Sequence, residues 1–133
     1  ERSRLSEMKQ LSAAKISNLR ARKIDIYATI IIAFAIGLAT LTPVETLPNV
    51  SGSDKLYHLI SFAILTLPIA IIRPNAMWII LSLSIAYGGA IESLQPLVNR
   101  NCELADLIAD ACGSMLGILA GKLLLSKTRL SAN

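Results

Sequence analysis

Four apolar runs, at residues 24–42, 56–72, 76–94 and 104–126, constrain this chain more than any other feature. Each is close to the ~20 residues that an α-helix needs to cross about 30 Å of hydrocarbon, the second being the shortest. Hydrocarbon offers no water to the backbone, so a run of this length must satisfy its own N–H and C=O groups, and a helix does so. The runs are separated by residues 42–55, by Arg73-Pro74-Asn75 and by residues 96–103, where proline and asparagine mark turns. Pro68 lies inside the second run and is expected to kink that helix without ending it. Composition agrees: 53% of the 133 residues are hydrophobic and 17% charged, against about a quarter charged in soluble domains. The predicted fold is all-α, an integral membrane bundle of four transmembrane helices preceded by an N-terminal amphipathic cytoplasmic segment.

The net charge of +4 is not a nucleic-acid signal, because seven of the 13 basic residues fall before Asp25. That clustering beside the first apolar run is a topology signal. With the N-terminus in the cytoplasm, the inner side receives the leader, Arg73, Lys122, Lys127 and Arg129, and the outer side only Lys55 and Arg100. The expected location is therefore the bacterial cytoplasmic membrane, with both termini inside. Residues 1–23 place Leu5, Met8, Leu11, Ile16 and Leu19 among Lys, Arg and Ser, a pattern suited to a helix lying on an anionic membrane surface. Residues 24–126 form the four-helix domain, and residues 127–133 a cytoplasmic tail. A signal peptide would also begin with a basic region and an apolar run. Here Thr42-Pro43-Val44-Glu45 stands in place of a small-residue cleavage site, so the first run is read as a retained helix. Cys102 and Cys112 straddle a loop and a helix interior, a separation unsuited to a disulfide.

This topology collects polar residues on the outer side. Asp54, Lys55 and His58 open the second helix, Glu92 and Gln95 close the third, and Arg100, Glu103, Asp106 and Asp110 lead into the fourth. Asp110 lies ~9 Å below Leu104 at ~1.5 Å per residue, inside the hydrocarbon. A carboxylate at mid-bilayer costs about 2.5–3.5 kcal/mol, so such groups must face one another or a wet cavity. Spacings of three or four residues put Asp54 with His58, Asp106 with Asp110, and Glu92 with Gln95 on shared helix faces. Gly113, Gly117 and Gly121 continue the aspartate stripe as a small-residue ridge. The expectation is an outward-opening polar pocket in which His58, Lys55 and Arg100 balance the acids, and inner halves nearly free of charge.

The blocks "DKLYHLISF", "YGGAIESLQ" and "RNCELADLIADACGSMLG" resemble the VanZ-like family, over about residues 53–125. Two departures stand out: members usually carry Asn where this chain has Asp110, and a Pro-Gly pair where it has Val98-Asn99. The resemblance implies a small bacterial membrane protein of the cell envelope, related to a founding member associated with resistance to the lipoglycopeptide teicoplanin.

Three readings fit the residues. An enzyme would use His58, Glu92 and Asp106 for proton transfer on a lipid-linked or glycolipid head group, with Asp54, Lys55, Gln95, Arg100 and Asp110 binding it. A binding module would hold the same head group unchanged, with membrane lipids around it. An accessory subunit would use the glycine ridge to meet a membrane protein partner. No cofactor is called for by a diagnostic motif, although carboxylates with one histidine could hold a divalent cation such as magnesium, calcium or manganese.

Overall fold

The computed structural model describes residues 2–42 and 53–131. Helix α1 runs over Arg2–Thr40, α2 over Ser53–Ile72, α3 over Met77–Leu94 and α4 over Leu104–Ser131. Short 3-10 turns at Pro74–Ala76 and Gln95–Val98 reverse the chain before and after α3. Among the described residues there is no strand, and all four helices are long and apolar enough to cross a membrane. The chain is an all-α, multi-pass membrane bundle. The expected turn over residues 42–55 lies mostly outside the described residues.

Proline behaves as expected: α2 continues through Pro68. The α2–α3 reversal is built at Arg73, whose backbone (φ −126°, ψ 62°) has left the helical region, which a following proline disfavours. At the other reversal Asn99 is left-handed (φ 58°, ψ 31°), a conformation that glycine and asparagine adopt most readily. The backbone N–H groups of Asn99 and Arg100 both donate to the Gln95 carbonyl, closing this turn.

One boundary differs from expectation. The break near Lys23 between a surface segment and a spanning helix is absent, and α1 continues for 39 residues, about 58 Å. Residues 2–36 contain neither glycine nor proline and are richest in Ile, Ala, Arg and Ser, so no helix breaker stops the helix. At the other end α4 carries helix into residues 127–131, which the sequence places in a tail.

The exterior is apolar: Ile30, Ile31 and Phe34 on α1, Ile64 on α2, Leu83 on α3 and Leu119 on α4 are all exposed. A hydrocarbon solvent accounts for that distribution, because an exposed apolar surface of this extent is rare on a soluble monomer. Inside, Ile36, Phe62, Leu65 and Ile91 form one apolar cluster and Ala70, Ile80 and Ile118 another. Helix α1 is peripheral, with 11% of its apolar window buried against 39% for α4. It is tied to α3 where the Tyr87 hydroxyl donates to the Ala33 carbonyl at 2.5 Å.

The closest approach is between α2 and α4, and glycine permits it. A Cβ on Gly113 would strike the Leu59 carbonyl, and one on Gly117 the Ala63 carbonyl. At Gly121 it would meet Ala70 Cβ at 2.8 Å. The ridge is thus used inside the bundle.

Candidate functional site

One end of the bundle gathers the end of α1, the starts of α2 and α4, and the end of α3. All eight sequence-predicted site residues stand there, in two tiers. The upper tier is a charged rim. Arg100 Nη2 donates to Asp54 Oδ1 at 2.9 Å and its Nη1 to the Thr40 carbonyl at 3.3 Å. Lys55 Nζ donates to Glu103 Oε2 at 2.9 Å and lies 3.7 Å from Asp106 Oδ1. About half of the Lys55, Glu103 and Asp54 side chains is exposed, so these pairs add little to stability.

The lower tier is buried. His58, Glu92, Gln95, Asp106 and Asp110 are each at most 4% exposed. Helix periodicity explains their convergence: Asp106 and Asp110 share a face of α4, and Glu92 and Gln95 share one at the end of α3. Asp106 also sits in the first turn of α4, where the helix dipole favours negative charge. His58 Nδ1 lies 2.8 Å from Asp110 Oδ1, and Glu92 Oε2 accepts the Glu103 backbone N–H at 3.0 Å. If Asp110 is ionised, Nδ1 carries the proton and Nε2 is an acceptor. A backbone contact fixes the depth of the acidic pair, since Asp110 Oδ2 lies against α3 where only Gly88 leaves room.

Three expectations need correction. His58 pairs with Asp110 and not with Asp54, because Arg100 on its left-handed turn captures Asp54. Nor are the acids balanced: five carboxylates, Asp54, Glu92, Glu103, Asp106 and Asp110, meet two permanent cations and one imidazole. Among the described residues no lysine or arginine forms an ion pair with Glu92 or Asp110. Finally, the opposite end is not free of charge. There Arg73 Nε donates to Asp25 Oδ2 at 2.8 Å and its Nη2 reaches Oδ1 at 3.4 Å, with the Asp25 side chain fully buried. The hydrogen bond to Asp25 raises the Arg73 pKa above its ordinary value, so this arginine stays charged.

Several buried atoms of the lower tier have no hydrogen-bond partner among the described residues: His58 Nε2, Glu92 Oε1, Gln95 Nε2, Asp106 Oδ1 and Asp110 Oδ2. Each such atom costs about 1–3 kcal/mol of desolvation, more if charged. A cluster of them converging from three helices is what a binding site requires and what a merely structural network avoids.

A third tier was missed in the sequence. Ser114 donates to the Asp110 carbonyl at 2.7 Å and lies 2.5 Å from the Ser84 hydroxyl, so Ser84 is the donor of that pair. Thr66 reaches the Ser114 carbonyl at 3.1 Å. The signal was available, because Ser114 stands four residues after Asp110, Ser84 eight before Glu92 and Thr66 eight after His58. The polar column therefore descends from ionic to hydroxyl groups before the apolar cluster of Ala70, Ile80 and Ile118 closes it.

Cys102 and Cys112 are free and exposed, as the spacing indicated. No match was found among curated proteins or solved structures. The family model described as VanZ/LLP1 matches residues 8–125, reaching well upstream of the three motif blocks and taking in most of α1. By that match, over nearly all of its length, the chain belongs to the VanZ/LLP1 family.

Proposed function

We propose that this chain is a bacterial cytoplasmic-membrane protein that binds the polar head group of a lipid-linked or glycosylated amphiphile from the outer leaflet. Both termini are assigned to the cytoplasm, which puts the basic leader and Arg73 inside and Lys55 and Arg100 outside, following the positive-inside rule. The tiered end then opens outward, at the depth of lipid head groups. The observation that carries this reading is a set of buried polar atoms below an exposed charged rim: Gln95 Nε2 and Glu92 Oε1 have no hydrogen-bond partner among the described residues, and Asp106 Oδ1 has only Lys55 Nζ at 3.7 Å. Lys55 and Arg100 can hold an anionic group at the rim. The carboxylates below favour hydroxyl- or amine-bearing groups and repel a bare phosphate, so a sugar beneath a phosphate or carboxylate fits the charge order best.

His58 extends the reading to acid–base chemistry. Its Nδ1 is oriented by Asp110 and its Nε2 is left over, the arrangement of an imidazole held for proton transfer. Glu92 and Asp106 stand with it as further proton acceptors. The family's link to teicoplanin resistance and the cell envelope agrees with a glycosylated amphiphile as ligand. The accessory-subunit reading has less support, since the glycine ridge that suggested a partner is occupied by α2.

The test is mass spectrometry of amphiphiles retained by the full chain purified from its membrane. Wild type is expected to hold a glycosylated or phosphorylated amphiphile, and a Gln95→Leu, Asp106→Asn double variant to lose it at least tenfold. Equal retention by both would refute binding at this site. Turnover abolished by His58→Ala with Glu92→Gln would establish catalysis in addition.

A further inference from the structure

Beneath the rim, one potential ligand atom from each of His58, Glu92 and Asp110 lies within 4.8 Å of the others, and all three side chains are buried. Metal–ligand bonds of about 2.0–2.2 Å place two ligand atoms at most about 4.4 Å apart, so only a small closure is needed. A second observation points to a ligand independently. His58 Nε2, an acceptor when the ring is neutral and Nδ1 carries the proton, and Glu92 Oε1 and Asp110 Oδ2 have no hydrogen-bond partner among the described residues, on side chains more than nine-tenths buried.

Charge adds a third argument. With a neutral imidazole the group carries two negative charges, and no lysine or arginine among the described residues pairs with either carboxylate. We infer that His58, Glu92 and Asp110 bind one divalent cation, which cancels that charge and completes the coordination of three otherwise unpartnered acceptors. The donor set selects the metal class. Imidazole favours zinc and iron while carboxylates favour magnesium and manganese, so the mixed set fits a first-row ion such as Mn²⁺ or Zn²⁺. The neighbouring group Asp54, His58 and Asp106 also meets the distance condition, but Asp54 is exposed and engaged by Arg100. It is the weaker site. The Ser114 hydroxyl, bonded to the Asp110 carbonyl, and the glycine contact behind Asp110 hold that ligand's backbone in place.

This cation site stands without the head-group reading and, where occupied, replaces the acid–base role of His58, because a metal-bound imidazole nitrogen is not free to take a proton; its test uses no lipid ligand. Full-length protein in nanodiscs is stripped with chelator and titrated with Mn²⁺, followed by electron paramagnetic resonance. One Mn²⁺ per chain is expected, displaceable by Zn²⁺, with nitrogen modulation in the spin-echo signal that disappears in His58→Gln. Glu92→Gln and Asp110→Asn should each weaken binding at least tenfold, whereas Asp54→Asn should change it less than twofold. Asp110→Asn keeps an acceptor for His58, so its fold is preserved and its loss of affinity is informative. Three results would overturn the inference: no stoichiometric Mn²⁺, bound Mn²⁺ without nitrogen coupling, or affinity lost in Asp54→Asn and kept in Glu92→Gln.

Discussion

The two ends of the bundle handle buried charge in opposite ways. At one end a single buried aspartate, Asp25, meets a single arginine, Arg73, in a two-pronged ion pair. At the other end three buried carboxylates and a histidine keep atoms with no hydrogen-bond partner among the described residues. Both occur in one small membrane protein whose exterior is apolar, so neither is a by-product of a polar environment. A closed pair is a device for joining α1 to the α2–α3 turn. An open cluster carries a desolvation cost, which the proposed head group or cation would offset.

The contrast breaks most sharply under substitution. Asp25→Ala removes the two hydrogen bonds that Asp25 accepts from Arg73 and should destabilise the fold by about 1–3 kcal/mol, since a quarter of the Arg73 side chain is exposed. Unfolding in mild detergent measures it, and cation and amphiphile binding should be unchanged. At the other end the sign reverses. Glu92→Gln removes a charge and gives the acceptor-rich cluster two donors, so it should raise stability by about 1 kcal/mol while weakening cation binding at least tenfold, a trade of stability against function. Loss of stability in Glu92→Gln comparable to that in Asp25→Ala would erase the distinction between the ends.

Smaller effects sharpen it. Ser114→Ala leaves the Ser84 hydroxyl without its acceptor and should cost about 1 kcal/mol, read by the same unfolding experiment. Asn99→Gly relaxes a left-handed position and should be neutral or stabilising by a few tenths of a kcal/mol, while Asn99→Val should destabilise by about 1–2 kcal/mol. Because Arg100 follows this turn, Asn99→Val should also weaken the anion-holding rim, which Asn99→Gly should not.

Much of this was legible in the sequence because membrane helices advertise themselves. The four apolar runs, the tolerated Pro68 and the shared faces of Asp106, Asp110, Glu92 and Gln95 all follow from length and helical spacing. Pairing was less legible. Which base meets which acid depends on the turn at Asn99 and on side-chain reach, and neither is encoded in spacing within a helix. His58 sits four residues from Asp54 in the chain, but its hydrogen bond goes to Asp110, 52 residues away. The Asp25–Arg73 pair was hidden for the same reason, since its members belong to different helix ends and each looks like an ordinary flanking charge. The continuous α1 was missed because a change in composition at Lys23 was read as a change in structure.

The glycines on α4 have a consequence for affinity. His58 precedes Leu59 by one residue and Asp110 precedes Gly113 by three, so the place where the two main chains touch is immediately behind the imidazole and its carboxylate. Main-chain contact of this kind leaves no slack for sliding or rotation. Under the proposed binding function, a guest arriving from the lipid would meet side chains already held in position, so little affinity would be lost to ordering of the protein.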